Sequence, residues 1–206
     1  MRLALSAAAV FCAMWSVQQA NAQGLALPPG WYDWTGVYVG INVGYGASAS
    51  TQSFSGVVAG GQVGANLQYQ NLVFGVDVEG DWSSQQGSSG TPALTVQLPW
   101  LATARLRIGS AHDRIQYYAT GGVAYTRFTA DPGNGMGVSS TRTGWTAGIG
   151  QETAIQNVLL RFEVLYLQFL GSTETPPGAP IPVSVGRLSG YTARVGLSYK
   201  FGWPGN

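Results

Sequence analysis

The sequence predicts an all-β fold: an eight-stranded, antiparallel, up-and-down β-barrel that crosses a membrane. Three observations carry this expectation. In the closing stretch, Tyr191, Ala193, Val195, Leu197, Tyr199 and Phe201 are apolar or aromatic, while Thr192, Arg194, Gly196, Ser198 and Lys200 are polar or small. Side chains of a strand point to alternate faces, so the segment has one greasy and one wet face. Its length suits the roughly 9–11 residues a strand needs to cross a bilayer. The same alternation recurs up the chain, which is the pattern of a transmembrane barrel. Finally, only 9% of the residues are charged, against about 25% in an ordinary soluble domain.

The N-terminus reads as a secretory signal peptide. Arg2 supplies the positive charge, residues 3–15 form an apolar stretch too short to span, and Ala20-Asn21-Ala22 fits the small-x-small cleavage rule. The expected division is a signal peptide over 1–22 and a barrel domain over 23–206. Cys12 is the only cysteine and falls in the leader, so the mature chain would carry no thiol, disulfide or cysteine metal site. Downstream no apolar run reaches about 18 residues, so no transmembrane helix is available. The formal net charge of +1 gives no electrostatic reason to expect nucleic acid as a partner.

Eight segments alternate with period two. The first, 34–46, sets Val37, Val39, Ile41, Val43 and Tyr45 against Gly36, Tyr38, Gly40, Asn42 and Gly44. The second is 57–69, with Gln62, Gly64, Asn66 and Gln68 on its wet face. A tight turn at Gln70-Asn71 leads to the third, 72–82, where Phe74, Val76 and Val78 oppose Asp77, Glu79 and Asp81. The fourth, 100–110, sets Ala102, Ala104, Leu106 and Ile108 against Thr103, Arg105 and Arg107, and a short turn is expected at His112-Asp113. The remaining four are 115–128, 143–154, 159–169 and 188–201. Connections after even-numbered strands are a few residues long; those after odd-numbered strands are longer and rich in Gly, Ser, Thr and Pro. Short turns on one side and long loops on the other are the outer-membrane arrangement, which places the protein in the outer membrane of a Gram-negative cell. The long stretches 83–99 and 171–186 are the candidate surface loops.

Alternation alone does not say which face is inside. A soluble barrel would turn its apolar face inward and show solvent mostly Gly, Asn, Gln and Thr, too few charges for a soluble surface. The apolar face also carries aromatics near both ends: Tyr45, Trp82, Trp100, Tyr125 and Trp145 toward the loops, and Trp34, Tyr69, Tyr117, Tyr199 and Phe201 toward the turns. Two aromatic belts mark two membrane interfaces. The apolar face therefore meets lipid.

The wet face then holds Asp77, Glu79, Asp81, Glu152 and Glu163 together with Arg105, Arg107, Arg161, Arg194 and Lys200. An eight-stranded barrel is just wide enough to be filled by side chains, and unpaired charges there would cost several kcal/mol each. Strand neighbours suggest the pairs: Asp77 and Glu79 with Arg105 and Arg107, Glu152 with Arg161, Glu163 with Arg194. The lumen size favours a structural network over a gated ion path.

No catalytic residues are expected. The only histidine, His112, lies in a turn beside Asp113, and no oxyanion arrangement accompanies Ser110. One histidine and no mature cysteine leave no transition-metal site, and the loop acids Asp131 and Glu174 are too few for calcium. No cofactor is expected.

Several stretches resemble the porin-like outer-membrane immunogenic proteins of alphaproteobacteria, within the wider group of OmpA-like eight-stranded barrels. They are WTGVYVGINVGYG at 34–46, FGVDVEGD at 74–81, RLRIGSAHDR at 105–114 followed by YATGGVAY at 118–125, GWTAGIG at 144–150 and ARVGLSYKF at 193–201. The departures are Gln151 at a lipid-facing position, Leu165 and Leu167 on the inward side, and the tail 202–206 beyond the terminal aromatic. The resemblance implies a non-enzymatic surface barrel that supports envelope integrity or forms a narrow pore, with antigenic loops. Adhesion or ligand binding through the long loops is the alternative. The implied partners are outer-membrane lipids and, during biogenesis, periplasmic chaperones and a barrel assembly machine.

Arg194, Gly196, Tyr199 and Phe201 have the form of the insertion signal read by such machinery: a polar residue, a glycine and two spaced aromatics. Phe201→Ala is expected to lower the fraction of protein recovered folded in the outer membrane, while removal of 202–206 leaves it unchanged; cell fractionation with a heat-dependent gel shift measures both.

Overall fold

A computed structural model describes residues 31–49, 54–89, 94–131, 138–174, 183–185 and 187–202. The proposed signal peptide lies outside the described residues. The chain forms β1 (Gly36–Ser48), β2 (Phe54–Tyr69), β3 (Leu72–Ser89), β4 (Leu94–His112), β5 (Ile115–Asp131), β6 (Val138–Ile155), β7 (Val158–Phe169), a small hairpin of β8 (Ser172–Glu174) and β9 (Val183–Val185), and β10 (Leu188–Phe201). Eight of these close into a barrel in the order β1-β10-β7-β6-β5-β4-β3-β2, every neighbour antiparallel. The seam is sealed by the β1–β10 ladder, from Val37 opposite Phe201 to Ser48 opposite Gly190. With every edge paired, each barrel strand can sit in hydrocarbon without orphan backbone groups.

The barrel is inside-out relative to a soluble domain. Ile41, Leu106 and Ile149 are each 68% exposed, whereas Asp77 and Arg161 are each 1% exposed. Leu165 and Leu167 do face inward and are buried, and Gln151 lies on the outer face, where its amide donates to the Thr153 hydroxyl at 3.4 Å. No helix among the described residues is long and apolar enough to cross a membrane.

Three hairpins turn through Gln70-Asn71, Asp113-Arg114 and Gln156-Asn157. The first residue of each has positive φ: 56° at Gln70, 51° at Asp113 and 56° at Gln156. The turn expected at His112-Asp113 is thus displaced by one residue, because His112 still pairs with Ile115 as the last rung of the β4–β5 ladder.

The strands outrun the alternation on the loop side. Residues 83–99, read as a loop, mostly extend β3 to Ser89 and start β4 at Leu94. A register irregularity lies between Trp82 and Gln85, where three steps on β3 face two on β4. Beyond Trp82 the β3 ladder persists through Ser, Gln and Gly, so its hydropathy signal stops before the strand does, whereas β4 alternates at Leu94, Val96 and Leu98 before Pro99. The other candidate loop, 171–186, contains β8 and β9 within its described residues.

Inward glycines make room for inward rings. A Cβ placed on Gly64 would meet the Tyr38 ring and hydroxyl, and one on Gly150 would meet those of Tyr118. Gly80 faces out, and a Cβ there meets nothing within 4 Å. Gly64→Val is therefore expected to displace Tyr38 and destabilise the barrel by about 1–3 kcal/mol, whereas Gly80→Val leaves stability near that of the parent; urea unfolding of protein refolded into vesicles compares them.

Candidate functional site: the charged lumen

The lumen centre is a lattice of guanidiniums and carboxylates set on β3, β4, β6, β7 and β10. Period two brings Asp77, Glu79 and Asp81 inward from β3, and Arg105 and Arg107 from β4. Arg105 donates from Nη2 to Asp77 Oδ2 at 2.9 Å and from Nε to Asp77 Oδ1 at 3.2 Å. The same Nη2 reaches Glu79 Oε2 at 2.9 Å. Its Nη1 crosses the lumen to Glu163 Oε2 at 2.9 Å and Oε1 at 3.1 Å. Arg194 donates to Glu163 from Nη2 at 2.9 Å, pairs with Glu79, and lies 3.4 Å from Asp81 Oδ2. Arg161 donates from Nε to Glu152 Oε1 at 2.7 Å and approaches Asp77 Oδ2 at 3.4 Å. Arg107 sits 2.8 Å from Glu152.

Neutral groups complete the lattice. Gln62 Oε1 accepts from Arg161 Nη1 at 2.7 Å, and Gln62 Nε2 donates to Ser198 Oγ at 2.8 Å. Arg107 donates to the Tyr38 hydroxyl at 2.8 Å and lies over the Tyr118 ring, 3.8 Å from its centroid. Planar guanidiniums serve such sites well because they stack and bond in one plane.

Adjacent-strand reasoning reaches Asp77–Arg105, Glu79–Arg105, Glu152–Arg161 and Glu163–Arg194. It misses the chords across the lumen: Arg105 to Glu163, Arg194 to Glu79 and Asp81, and Arg161 to Asp77. It also misassigns two residues. Arg107 turns away from Asp77 and Glu79 toward Glu152, and Lys200 forms no ion pair with the lumen carboxylates among the described residues. Lys200 Nζ donates to the main-chain carbonyls of Asp33 and Thr35, the latter at 3.2 Å, and lies 4.7 Å from the Tyr32 ring centroid. Tyr38, Tyr118 and Gln62 were legible as inward polar or aromatic residues; their partners were not.

Below the lattice, on the turn side, the chain before β1 folds in as a floor. Trp34 is completely buried with Tyr38, Val73, Ala111, Ala154 and Leu159, and Tyr32 packs against that cluster. Trp34 Nε1 donates to the Asp113 carbonyl at 2.9 Å, and its main-chain N–H donates to Gln68 Oε1 at 2.7 Å. The main-chain N–H of Tyr32 donates to Asp113 Oδ1 at 2.9 Å. Burial, with Asp33 beside it, pushes the Tyr32 phenol up to about 12, so it stays neutral at physiological pH. Trp34 is therefore not a belt residue. Its even number gives it the inward parity of Tyr38, and Gly36, at φ +146°, bends the chain out of the ladder before it.

The other expected belt residues, Tyr45, Tyr69, Trp82, Trp100, Tyr117, Tyr125, Trp145 and Tyr199, are outward and exposed, as is Phe201. Tyr166 and Tyr191 join them, in a ladder with Trp145: ring centroids are 5.4 Å apart for Trp145–Tyr166 and 5.1 Å for Tyr166–Tyr191. Above the lattice, Ser83, Gln85, Thr126, Leu167 and Thr192 help line a hollow of about 20 Å³, room for about one water. His112 ends β4 with its side chain exposed.

A closed eight-stranded barrel with a lipid-facing apolar exterior and an ionised interior defines an outer-membrane β-barrel protein. The chain belongs to the outer membrane protein beta-barrel domain family, whose model matches residues 4–201. It is 32% identical to the 31 kDa outer-membrane immunogenic protein of Brucella melitensis, over 85% of this chain and 87% of that one. It is also 32% identical to the 25 kDa outer-membrane immunogenic protein of Brucella canis, over 82% of this chain and 80% of that one. In fold it matches the crystal structure of neisserial surface protein A, with a TM-score of 0.56 at 16% identity, covering 81% of this chain and 98% of that one.

Among the described residues Glu152 is the only carboxylate that Arg107 touches, and it also holds Arg161. Glu152→Gln is expected to destabilise the barrel by about 3–5 kcal/mol. The exchange Arg105→Glu with Glu79→Arg is expected not to restore stability, because Arg105 serves three carboxylates. Urea unfolding in vesicles checks both.

Proposed function

We propose that this protein is a non-conducting, non-enzymatic structural barrel of the outer membrane. The observation that carries the reading is closure of the lumen at two successive levels. Arg105 joins β4 to β7 and Arg194 joins β10 to β3 across the lattice. Trp34 and the cluster around it block the turn-side end. An ion crossing this lumen would have to break several buried charge pairs together, and each charge left alone there costs several kcal/mol. The relatives' names, outer-membrane immunogenic proteins, support display of the loop side at the cell surface.

A second reading, contact with other surfaces through the loop end, draws support from the extension of β3 and β4 past Trp82 and Trp100. Removing 86–97 would leave envelope integrity intact and abolish such contact if that reading held.

Planar-bilayer recording of refolded protein, beside a general porin as a positive control, tests the structural reading. No discrete conductance steps are expected. Regular steps from protein that passes the heat-dependent gel shift would contradict it.

A further inference from the structure

We propose that β6, above the loop-side aromatic belt, presents an open strand edge that takes an extended segment of a partner polypeptide as an added strand. The rim of the barrel is uneven. β5 and β6 stay paired up to Ala130 opposite Val138, whereas β6 and β7 part at Gly144 opposite Phe169. Just past that rung the Leu170 N–H donates to the Thr143 carbonyl at 3.2 Å. Farther on, β8 and β9 pair with each other in a separate sheet. Among the described residues, no strand pairs with 138–142 on the side of β6 that faces β7.

The direction of the open groups follows from that last bond. The N–H and C=O of one residue in an antiparallel strand point to the same neighbour, and successive residues alternate. Thr143 turns its carbonyl toward β7. Thr141 and Ser139 therefore turn their main-chain groups to the open side, while Arg142 and Ser140 turn theirs to β5. Thr141 lies four residues beyond the belt residue Trp145, or about 13 Å along the strand. Water can solvate an open edge at that height, which hydrocarbon would forbid. The stretch 138–142 holds no proline or lysine, residues that commonly blunt an edge. Its one charged side chain, Arg142, is buried in the lumen.

The chemistry of the edge selects its occupant. The chain's own segment 175–182 carries Pro176, Pro177, Pro180 and Pro182, which have no N–H to give a ladder. A second copy, inserted the same way up, would offer its β6 only in parallel, the less stable pairing. A segment of another protein can run antiparallel to β6. Such pairing reads the main chain, so the partner is defined by an extended, proline-free backbone rather than by charge. Thr141 and Thr143 are exposed on the outer face beside it and favour β-branched side chains opposite them.

Backbone NMR of the folded protein in neutral micelles, titrated with an octapeptide of alternating Thr and Val, tests the assignment. Saturable shifts of the Ser139 and Thr141 amides are expected, with slowed hydrogen exchange at both. Ser139→Pro/Thr141→Pro removes the two edge donors and should bind about 30-fold more weakly. Thr141→Val keeps the main chain and should bind like the parent. The fully N-methylated peptide should give no saturable shift, and it carries the test if the proline variant fails the heat-dependent gel shift. Binding of the N-methylated peptide, loss of binding in Thr141→Val, or a folded proline variant that binds like the parent would each overturn the proposal. A parent dimer that the proline variant dissolves would give the edge to a second copy and overturn the partner. Absence of any peptide effect would also overturn it, while contact through the extension of β3 and β4 would stand.

Discussion

Everything in this barrel is organised around the need to neutralise buried charge. Arg105, Arg107, Arg161 and Arg194 contact Asp77, Glu79, Asp81, Glu152 and Glu163 in one lattice, with side chains at most 2% exposed. Desolvating that many ions is tolerable only if they are paired, and the lattice pairs them by spanning the lumen as well as along neighbouring strands. The consequence reaches the whole fold. A slip of one residue in any of the contributing strands would turn its charges toward lipid and its apolar groups inward. Register and lumen chemistry are thus one constraint.

The same constraint explains the placement of small and aromatic residues. Five long guanidinium side chains, that of Arg142 on β6 among them, and two tyrosine rings share a lumen only as wide as an eight-stranded barrel allows. Gly64 and Gly150 give up their side chains to admit Tyr38 and Tyr118. Those rings in turn are surfaces for the arginines, as where Arg107 lies over Tyr118. Toward the turns the filling changes from ionic to apolar, and Trp34 closes the end with hydrogen bonds to Asp113 and Gln68. Lys200 ties that floor to the last strand through the carbonyls of Asp33 and Thr35.

Much of this was legible in the chain. Alternation located all the membrane-crossing strands and put each lattice acid and arginine on the inner face, because lipid enforces a strict period of two on every spanning residue. The signal failed where that enforcement ends. β3 continues past Trp82 through Ser, Gln and Gly without apolar residues, and the short alternation Leu94, Val96, Leu98 of β4 ends at Pro99. Trp34 read as a belt aromatic because its size and polarity match one, although its parity already pointed inward. The cross-lumen contacts were illegible for a different reason. Ladder neighbours follow from strand order, but which arginine reaches across to which carboxylate depends on barrel closure and on side-chain packing in three dimensions. Tertiary geometry, not local pattern, made Arg107 a partner of Glu152 and Lys200 a clamp on the floor.

The central claim is that stability comes from chords across the lumen and not only from neighbouring-strand pairs. A double-mutant cycle on Arg105 and Glu163, which sit on β4 and β7, three strands apart around the barrel, isolates one such chord. Unfolding free energies in lipid vesicles for Arg105→Met, Glu163→Gln and the double variant should give a coupling of about 2–3 kcal/mol, as for residues in one buried network. Additive effects, with coupling below about 0.5 kcal/mol, would contradict the claim and leave the lattice as a set of independent local pairs.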